Sequence, residues 1–425
     1  MNKRIVVTGM GVVTSLGDNK SDYFNNLMRG ASGISKISSI NVDKIDCKIG
    51  GDLGAYNFKK KLIEFEGVLP ESVFIKLKKL LKSSPFSTKL SLITAVSAYI
   101  DAGLFDNPVD SEKISCFVGG SNMHDNYIVK NILQFQEEPE YVDPLTGIVM
   151  FDTDTVSCIA ETLGINGAIN TIGGACAASG FALKHAVNSI LLDDAEVCIV
   201  GGGALDYSHI GLHCMSIVNV LGFNDSPEKA SRPFDKDRRG FIFSHGSGAI
   251  VIEELSRALD RGATIYAEIL SVGVNNDANH LANPSSKWQT QLMKNTIIKA
   301  GIAPGDIDYV NAHATSTQLG DITEIESIKN TFGDLAKNLK INAPKSMLGH
   351  TGWGAHVIEL IGAIMQMSAS KLHPSINIDN LDERIDLDVC QSAVDNYTIN
   401  HLMKNSFGIG GYNCCTILKN ANLII

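Results

Sequence analysis

The sequence predicts a duplicated α/β fold, and three observations point to it. Apolar strand-like runs alternate with helical runs along the chain, which implies parallel strands joined by right-handed crossovers. One plan, a strand followed by a glycine-rich turn and an apolar helix, occurs at 169–192 and again at 341–367. A length of 425 residues, 44% hydrophobic and 19% charged, suits a large compact core rather than a disordered chain. The halves divide at 1–255 and 256–425.

In the first half, residues 5–16 read as a strand and a glycine turn. Gly9 and Gly11 lack the third glycine and the acidic partner of a dinucleotide-binding fingerprint, so they are read as turn geometry. A short helix over 21–29 is capped by Ser21 or Asp22. The stretch 57–84 is helical and polar, with Lys59, Lys60, Lys61, Lys76, Lys78, Lys79 and Lys82 forming a solvated face or a docking patch for an acidic partner. An amphipathic helix over 88–102 stops at Gly103. A buried strand at 115–120, a helix at 151–163, a strand at 197–200 with the turn Gly201-Gly202-Gly203, a charged loop at 231–240 and a strand at 249–253 complete this half.

The second half echoes it. Residues 265–276 repeat the opening strand and turn, a helix over 291–300 stops at Gly301, and 307–312 plays the part of 115–120. The helix over 355–367 follows its glycine turn as the helix after Cys176 follows its own.

Composition excludes several functions. The net charge of −10, with no basic block and few aromatics, argues against nucleic-acid binding. No apolar run is long enough to span a bilayer, and the opening residues pass straight into a strand rather than a signal peptide. Nine cysteines contain no CxxC pair, so neither a zinc cage nor a disulfide framework is expected. The vicinal Cys414-Cys415 pair reads as strand packing. A reducing cytoplasm is the expected compartment.

Cys176 carries the chemical expectation. Phe181, Leu183, Ala186, Val187, Ile190 and Leu191 gather on one helical face, which places Cys176 where a helix begins. Unpaired N–H groups and the helix dipole there favour thiolate, the nucleophilic form. Gly174, Ala175, Ala177 and Ala178 leave room for a substrate; the alternative is a buried structural cysteine. Three further segments share this glycine-rich, polar-in-apolar character: 311–324 with His313, 345–350 with His350, and the loop 405–413, able to offer N–H groups to an oxyanion.

Taken together, these segments resemble the thiolase-like condensing enzymes, specifically the elongating β-ketoacyl-(acyl carrier protein) synthases. The resemblance spans essentially the whole chain, from 5–9 through Arg232-Pro233-Phe234-Asp235 to Asn405-Ser406-Phe407-Gly408. It implies a thiolase-like five-layered αβαβα fold, usually a homodimer, with Cys176 as nucleophile and His313 and His350 as catalytic histidines. Lys345 matches the lysine before the second histidine, and Glu324 the acid after the first. Phe407 falls in the C-terminal loop and Asp277 in a mobile loop at the entrance. Thr315 and Thr317 match residues that meet the carrier's phosphopantetheine arm. The implied reaction is a ping-pong decarboxylative Claisen condensation of a Cys176-bound acyl chain with malonyl carrier. The backbone N–H groups of Cys176 and Ile409 would hold the oxyanion, without metal or redox cofactor.

The sequence also departs from that pattern. Ile409 stands at the usual gatekeeper phenylalanine, and Asn122 falls where the acyl pocket is usually lined by glycines and an aliphatic residue. Ser244-His245-Gly246 replaces a glycine-acid-glycine, with a structural role expected for His245, and Asn219 replaces a basic docking residue. These departures point to specialised polyketide or polyene synthesis as readily as to fatty acid synthesis. The acyl carrier is expected to be a separate protein, docking on the Lys59–Lys82 helices or the Arg232/Arg238/Arg239 loop. The alternatives are a non-catalytic chain-length partner in a heterodimer, a degradative thiolase and a malonyl decarboxylase.

Overall fold

The computed structural model describes residues 3–424; Met1 and Asn2, part of the opening read as lacking a signal peptide, lie outside the described residues. Ten strands carry the architecture: β1 (Ile5–Thr14), β2 (Ile114–Gly119), β3 (Ile169–Ile172), β4 (Val197–Gly202), β5 (Gly246–Glu254), β6 (Ala267–Asn276), β7 (Tyr309–Asn311), β8 (Lys340–Asn342), β9 (His401–Gly408) and β10 (Tyr412–Asn420). In space the first five run β3-β2-β4-β5-β1 and the next five β8-β7-β9-β10-β6. Each set places its third, second, fourth, fifth and first strand in that order. A short ladder, Ile5 opposite Ile269 to Val7 opposite Ala267, joins them into one sheet, and Asp388–Val389 adds an edge beside β8.

The pairing is mixed, which corrects the all-parallel expectation. β2 lies parallel to β3 and β4, and β7 parallel to β8 and β9. In contrast, β5 runs antiparallel to β1 and β4, and β10 antiparallel to β6 and β9. The physical reason is connection length. A tight turn between Gly408 and Tyr412 can only return the chain antiparallel, whereas parallel neighbours need a crossover.

Six helices pack on these strands: α1 (Phe86–Asp101), α2 (Asp154–Leu163), α3 (Ala178–Leu191), α4 (Ser286–Ala300), α5 (Gln318–Phe332) and α6 (Ala355–Ala369). α3 and α6 share one core with both strand sets, through residues such as Leu183, Ile190, Ile361 and Ile364. α1 and α2 cover the outer face of the first set, and α4 and α5 that of the second. The result is five layers, helix–sheet–helix–sheet–helix. Alternation within strands serves two cores at once: Cys198 and Val200 face the central layer while Val197 and Ile199 face outward. Cys414 and Cys415 likewise face opposite layers, both buried.

Several local expectations shift. The first helix, Lys20–Met28, is capped by Asn19, whose side chain accepts the Asp22 N–H, rather than by Ser21 or Asp22. The stretch 57–84 breaks into Phe58–Glu64 and Glu71–Ser83, and Lys61 is buried beside Glu64 and Asp18. α1 is buried on nearly every face, not amphipathic, because it lies between the sheet and further helices. Finally, Val6, Leu255, Ala258, Ala263, Ile265 and Ile424 form one small cluster at the junction of the halves.

Candidate active site

β3 ends at Ile172, and the chain turns through Gly173 and Gly174 into a single 3-10 turn, Ala175–Ala177, before α3 begins at Ala178. Ala175 takes φ +47°, a left-handed conformation that aims the next side chain out of the turn. Cys176 therefore sits one turn ahead of the α-helix rather than on its first residue. Its thiol is pushed up by burial, while the Ile409 N–H, the Lys345 ammonium and its own N–H pull it back. Burial outweighs these, so the expectation of a dipole-lowered thiol is corrected. Gly408 packs so tightly on this turn that a Cβ there would lie 2.9 Å from Gly174 O and 3.1 Å from Cys176 N. That contact brings the Ile409 N–H to the sulfur.

His313 follows β7, and its backbone N–H and that of Ala314 donate to Glu324 of α5 at 3.0 and 2.8 Å. His350 closes the segment after β8. The Cys176 sulfur and a ring nitrogen of each histidine lie within 4.8 Å of one another. The ring centroids of the two histidines are 5.5 Å apart and nearly perpendicular. Phe407 stacks edge-on against His313, and Phe241 against His350.

Hydrogen bonding assigns the tautomers. The Gly352 N–H donates to His350 Nδ1 at 3.2 Å, and the Lys345 ammonium lies 3.3 Å from His313 Nδ1. Each Nδ1 therefore accepts, and each neutral ring carries its proton on Nε2. Burial and the nearby Lys345 charge hold both histidines well below their usual range, so both are neutral at pH 7. His350 Nε2 has no protein partner among the described residues. The two rings thus present N–H donors to an oxygen bound beside the sulfur. A cysteine with two histidines is also a metal-ligand set by residue type. A ligating histidine donates its other N–H to a second group, the reverse of the pattern here, and an Nε2 bearing a proton has no lone pair for an ion.

Lys345 Nζ lies between His313 and Glu359. It donates to His313 O at 2.7 Å and lies 2.6 Å from Glu359 Oε1. Glu359, in α6, is also 2.7 Å from Lys404 of β9, and all three side chains are buried.

A cavity of about 550 Å³ opens onto the sulfur. Cys176, His313, His350, Glu324, Phe407, Ile409, Thr315, Thr317 and Asp277 all line it. Thr315 and Thr317 place their hydroxyls 3.1 Å apart. Asp277 ties the two loops of the mouth: it accepts from Asn413 at 2.7 Å and Ser285 N–H at 3.0 Å, while its own N–H donates to Gly411 O. Lys345 lies behind His313 rather than in the wall. Asn122 is not among the lining residues; it is exposed in a left-handed turn, its N–H held by Asp152.

The basic loop divides by function. Arg238 is buried, paired with Asp382 and Asp321, and clamps Thr317 O and Gln318 O beneath the cavity. Arg232 pairs with Asp235 and Asp379. Arg239 alone of the three lines the mouth, beside Asn219. His245 stacks on Tyr207 at 4.0 Å and accepts the Leu53 N–H, away from the sulfur. A second chain of polar groups, Ser87–His124–Asp154, has 2.6 Å links but is buried away from the cavity.

A sequence model for the N-terminal domain of the beta-ketoacyl synthases matches residues 2–258, and its C-terminal counterpart matches 266–379. This chain belongs to the beta-ketoacyl synthase family. Among the relatives of this family member, a 3-oxoacyl-[acyl-carrier-protein] synthase 2 from Coxiella burnetii is 33% identical over 424 residues, covering 98% of each chain. The polyketide biosynthesis malonyl-ACP decarboxylase PksF of Bacillus subtilis is 30% identical, covering 98% of this chain and 96% of its own. Among solved structures, the ishigamide ketosynthase/chain length factor superposes with a TM-score of 0.88 at 25% identity, over 99% of this chain and 100% of that one.

Sequence reasoning missed Glu359, Lys404 and the Gly352 N–H. Glu359 had a signal: it is a lone acid in an apolar run, which is rarely tolerated without a partner.

Proposed function

We propose that this protein is a 3-oxoacyl-(acyl carrier protein) synthase working on carrier-bound thioesters. The observation that carries this reading is the convergence of the Cys176 sulfur with two Nε2–H donors in one cavity. The Cys176 sulfur attacks an acyl thioester, and the N–H groups of Cys176 and Ile409 hold the oxyanion. The carrier thiol leaves with the cysteine's proton. A malonyl thioester then takes its place, its arm running past Thr315 and Thr317. As carbon dioxide departs, charge builds on the thioester oxygen between His313 and His350. The resulting carbon attacks the acyl group on Cys176, releasing a 3-oxo chain two carbons longer.

Lys345 sets the His313 tautomer, and Glu324 shapes the loop that carries it. Ile409 and Phe407 form the gate. The cycle calls for no metal or redox cofactor. The reading includes a homodimer, because β3 is an outer strand with an unpaired edge and Phe135, Tyr141, Ile148 and Phe151 are exposed. It also includes the division at 1–255 and 256–425, supported by the repeated strand order, and a cytoplasmic setting. No helix among the described residues is long and apolar enough to cross a membrane.

Intact-mass spectrometry tests the reading. The protein should gain an acyl mass from an acyl carrier and lose it to a longer product when malonyl carrier is added, and Cys176→Ala should gain none. No adduct from any donor, or condensation by Cys176→Ala at the unaltered rate, would overturn it. The similarity to PksF favours one second reading, decarboxylation without condensation, which would yield acetyl carrier as the sole product. The complete Cys176–His313–His350 set counts against a non-catalytic partner subunit.

A further inference from the structure

Two lysines share one carboxylate beneath this site, and only one of them reaches a histidine. Glu359 has Lys345 2.6 Å from Oε1 and Lys404 2.7 Å from Oε2, and none of the three is open to solvent. We propose that Lys404 is a positioning residue for the reaction: it occupies Glu359 Oε2, leaves Oε1 to hold Lys345 against His313, and supplies the cation that Glu359 alone would cancel at the reacting atoms.

The geometry carries this in two steps. The Lys345 ammonium donates to His313 O, lies 3.3 Å from His313 Nδ1, and has Glu359 Oε1 beside it at 2.6 Å as its counter-charge. If Oε2 were empty, the carboxylate could rotate and take Lys345 with both oxygens, drawing Nζ off Nδ1 and freeing the His313 tautomer. Lys404 prevents that rotation, being itself fixed by Asn405 O at 2.6 Å.

The second step is charge. At the Cys176 sulfur, Lys345 favours thiolate and Glu359 opposes it. Lys404, paired with Glu359 at 2.7 Å, offsets that opposing charge, and its own charge reaches both His313 and His350. The other groups that interact with the Lys404 charge are Glu359 and His356 from α6, Lys345, Glu324 from α5, and Cys414 and Cys415 from β10. Burial and Lys345 pull the Lys404 ammonium down, while Glu359 and Glu324 pull it up. An extra buried cation favours each step in which negative charge appears: thiolate, oxyanion and the decarboxylated malonyl group.

The inference rests on the proposed reaction, but its first test does not. Alkylation of Cys176 by iodoacetamide, followed by peptide mass mapping from pH 6 to 10, needs no substrate. In Lys404→Met the Cys176 profile should move up by about one unit, slowing alkylation near pH 7 about tenfold. Lys404→Arg should restore most of it. A lysine that merely holds the fold would give the opposite sign, because a loosened core exposes the thiol and speeds alkylation. That result, or an unchanged profile in a folded Lys404→Met, overturns the proposal. Lys404→Gln, which keeps a donor to Glu359 without the charge, takes its place if the methionine variant does not fold, and the same upward shift is expected. Malonyl-carrier decarboxylation is then compared across the variants. If the unaltered protein fails to decarboxylate, the synthase reading falls while the alkylation result still decides the role of Lys404.

Discussion

Ala175, immediately before Cys176, holds a backbone conformation that costs an L-residue about 1–2 kcal/mol. The cost is retained because the turn must present Cys176 to two histidines and to the Ile409 N–H. Ala175→Gly should raise the urea midpoint slightly, by up to about 1 kcal/mol of stability, since strain relief exceeds the added chain entropy. Ala175→Val should lower stability by about 2 kcal/mol, with loss of acyl loading beyond what unfolding explains. At this scale the sequence was informative wherever a reactive side chain lay among glycines: Cys176, His313 and His350 each stood out. Lys404 did not, because a partnership across two elements leaves no spacing to read, and Glu359 showed only as a lone acid in an apolar run. Nor could the upward push of burial on the thiol be read, since burial appears only when the layers close over it.

Among the elements, close approach matters more than periodicity. β2 meets the start of α3 at Gly119, where any Cβ would collide with the Ser179 backbone. Gly119→Ala should therefore cost about 3 kcal/mol or more and displace the turn that carries Cys176. Gly147→Ala, with nothing within 4 Å, should change stability by less than about 1 kcal/mol. Chemical denaturation of the two variants compares them directly; equal losses would show that the packing of α3 on β2 is looser than this. Many helices and strands were readable in place and type, with ends off by a few residues, but the helices Asp125–Glu137 and Gln318–Phe332 were not, and 405–413, read as a loop, is largely the end of β9 and the start of β10. α1 was misread as amphipathic because the sequence does not announce a second covering layer. The antiparallel strands were missed because the strand signal is the same in either direction.

Across the whole molecule, buried histidines link stability to pH. His313, His350 and His356 are held well below 6.5 and His373 is pushed down to about 4, in each case chiefly by burial. Below pH 6.5 the unfolded chain binds protons that the folded chain refuses, so stability falls as the pH is lowered toward 4 and is fully present above 6.5. Denaturant unfolding at pH 7.5, 6 and 5 should show a steadily falling midpoint. A flat series would mean that these rings take up protons while folded. The duplicated plan was legible at this scale because strand, glycine turn and helix recur in order. The single sheet was not, since only folding brings Ile5 opposite Ile269.

Val6, Ile424 and the stretch from Leu255 to Ile265 share one patch of apolar contacts. The start of the first half, its link to the second and the finish of the second therefore meet at one point in space. The order in which the halves are written is thus a matter of genetic punctuation rather than of architecture. A circular permutant reading the second half first, with a short bridge from Ile424 back to Lys3, would trace the same strand order. By the same token, a half-length gene fused in tandem to itself would need only a few connecting residues to make a chain of this shape.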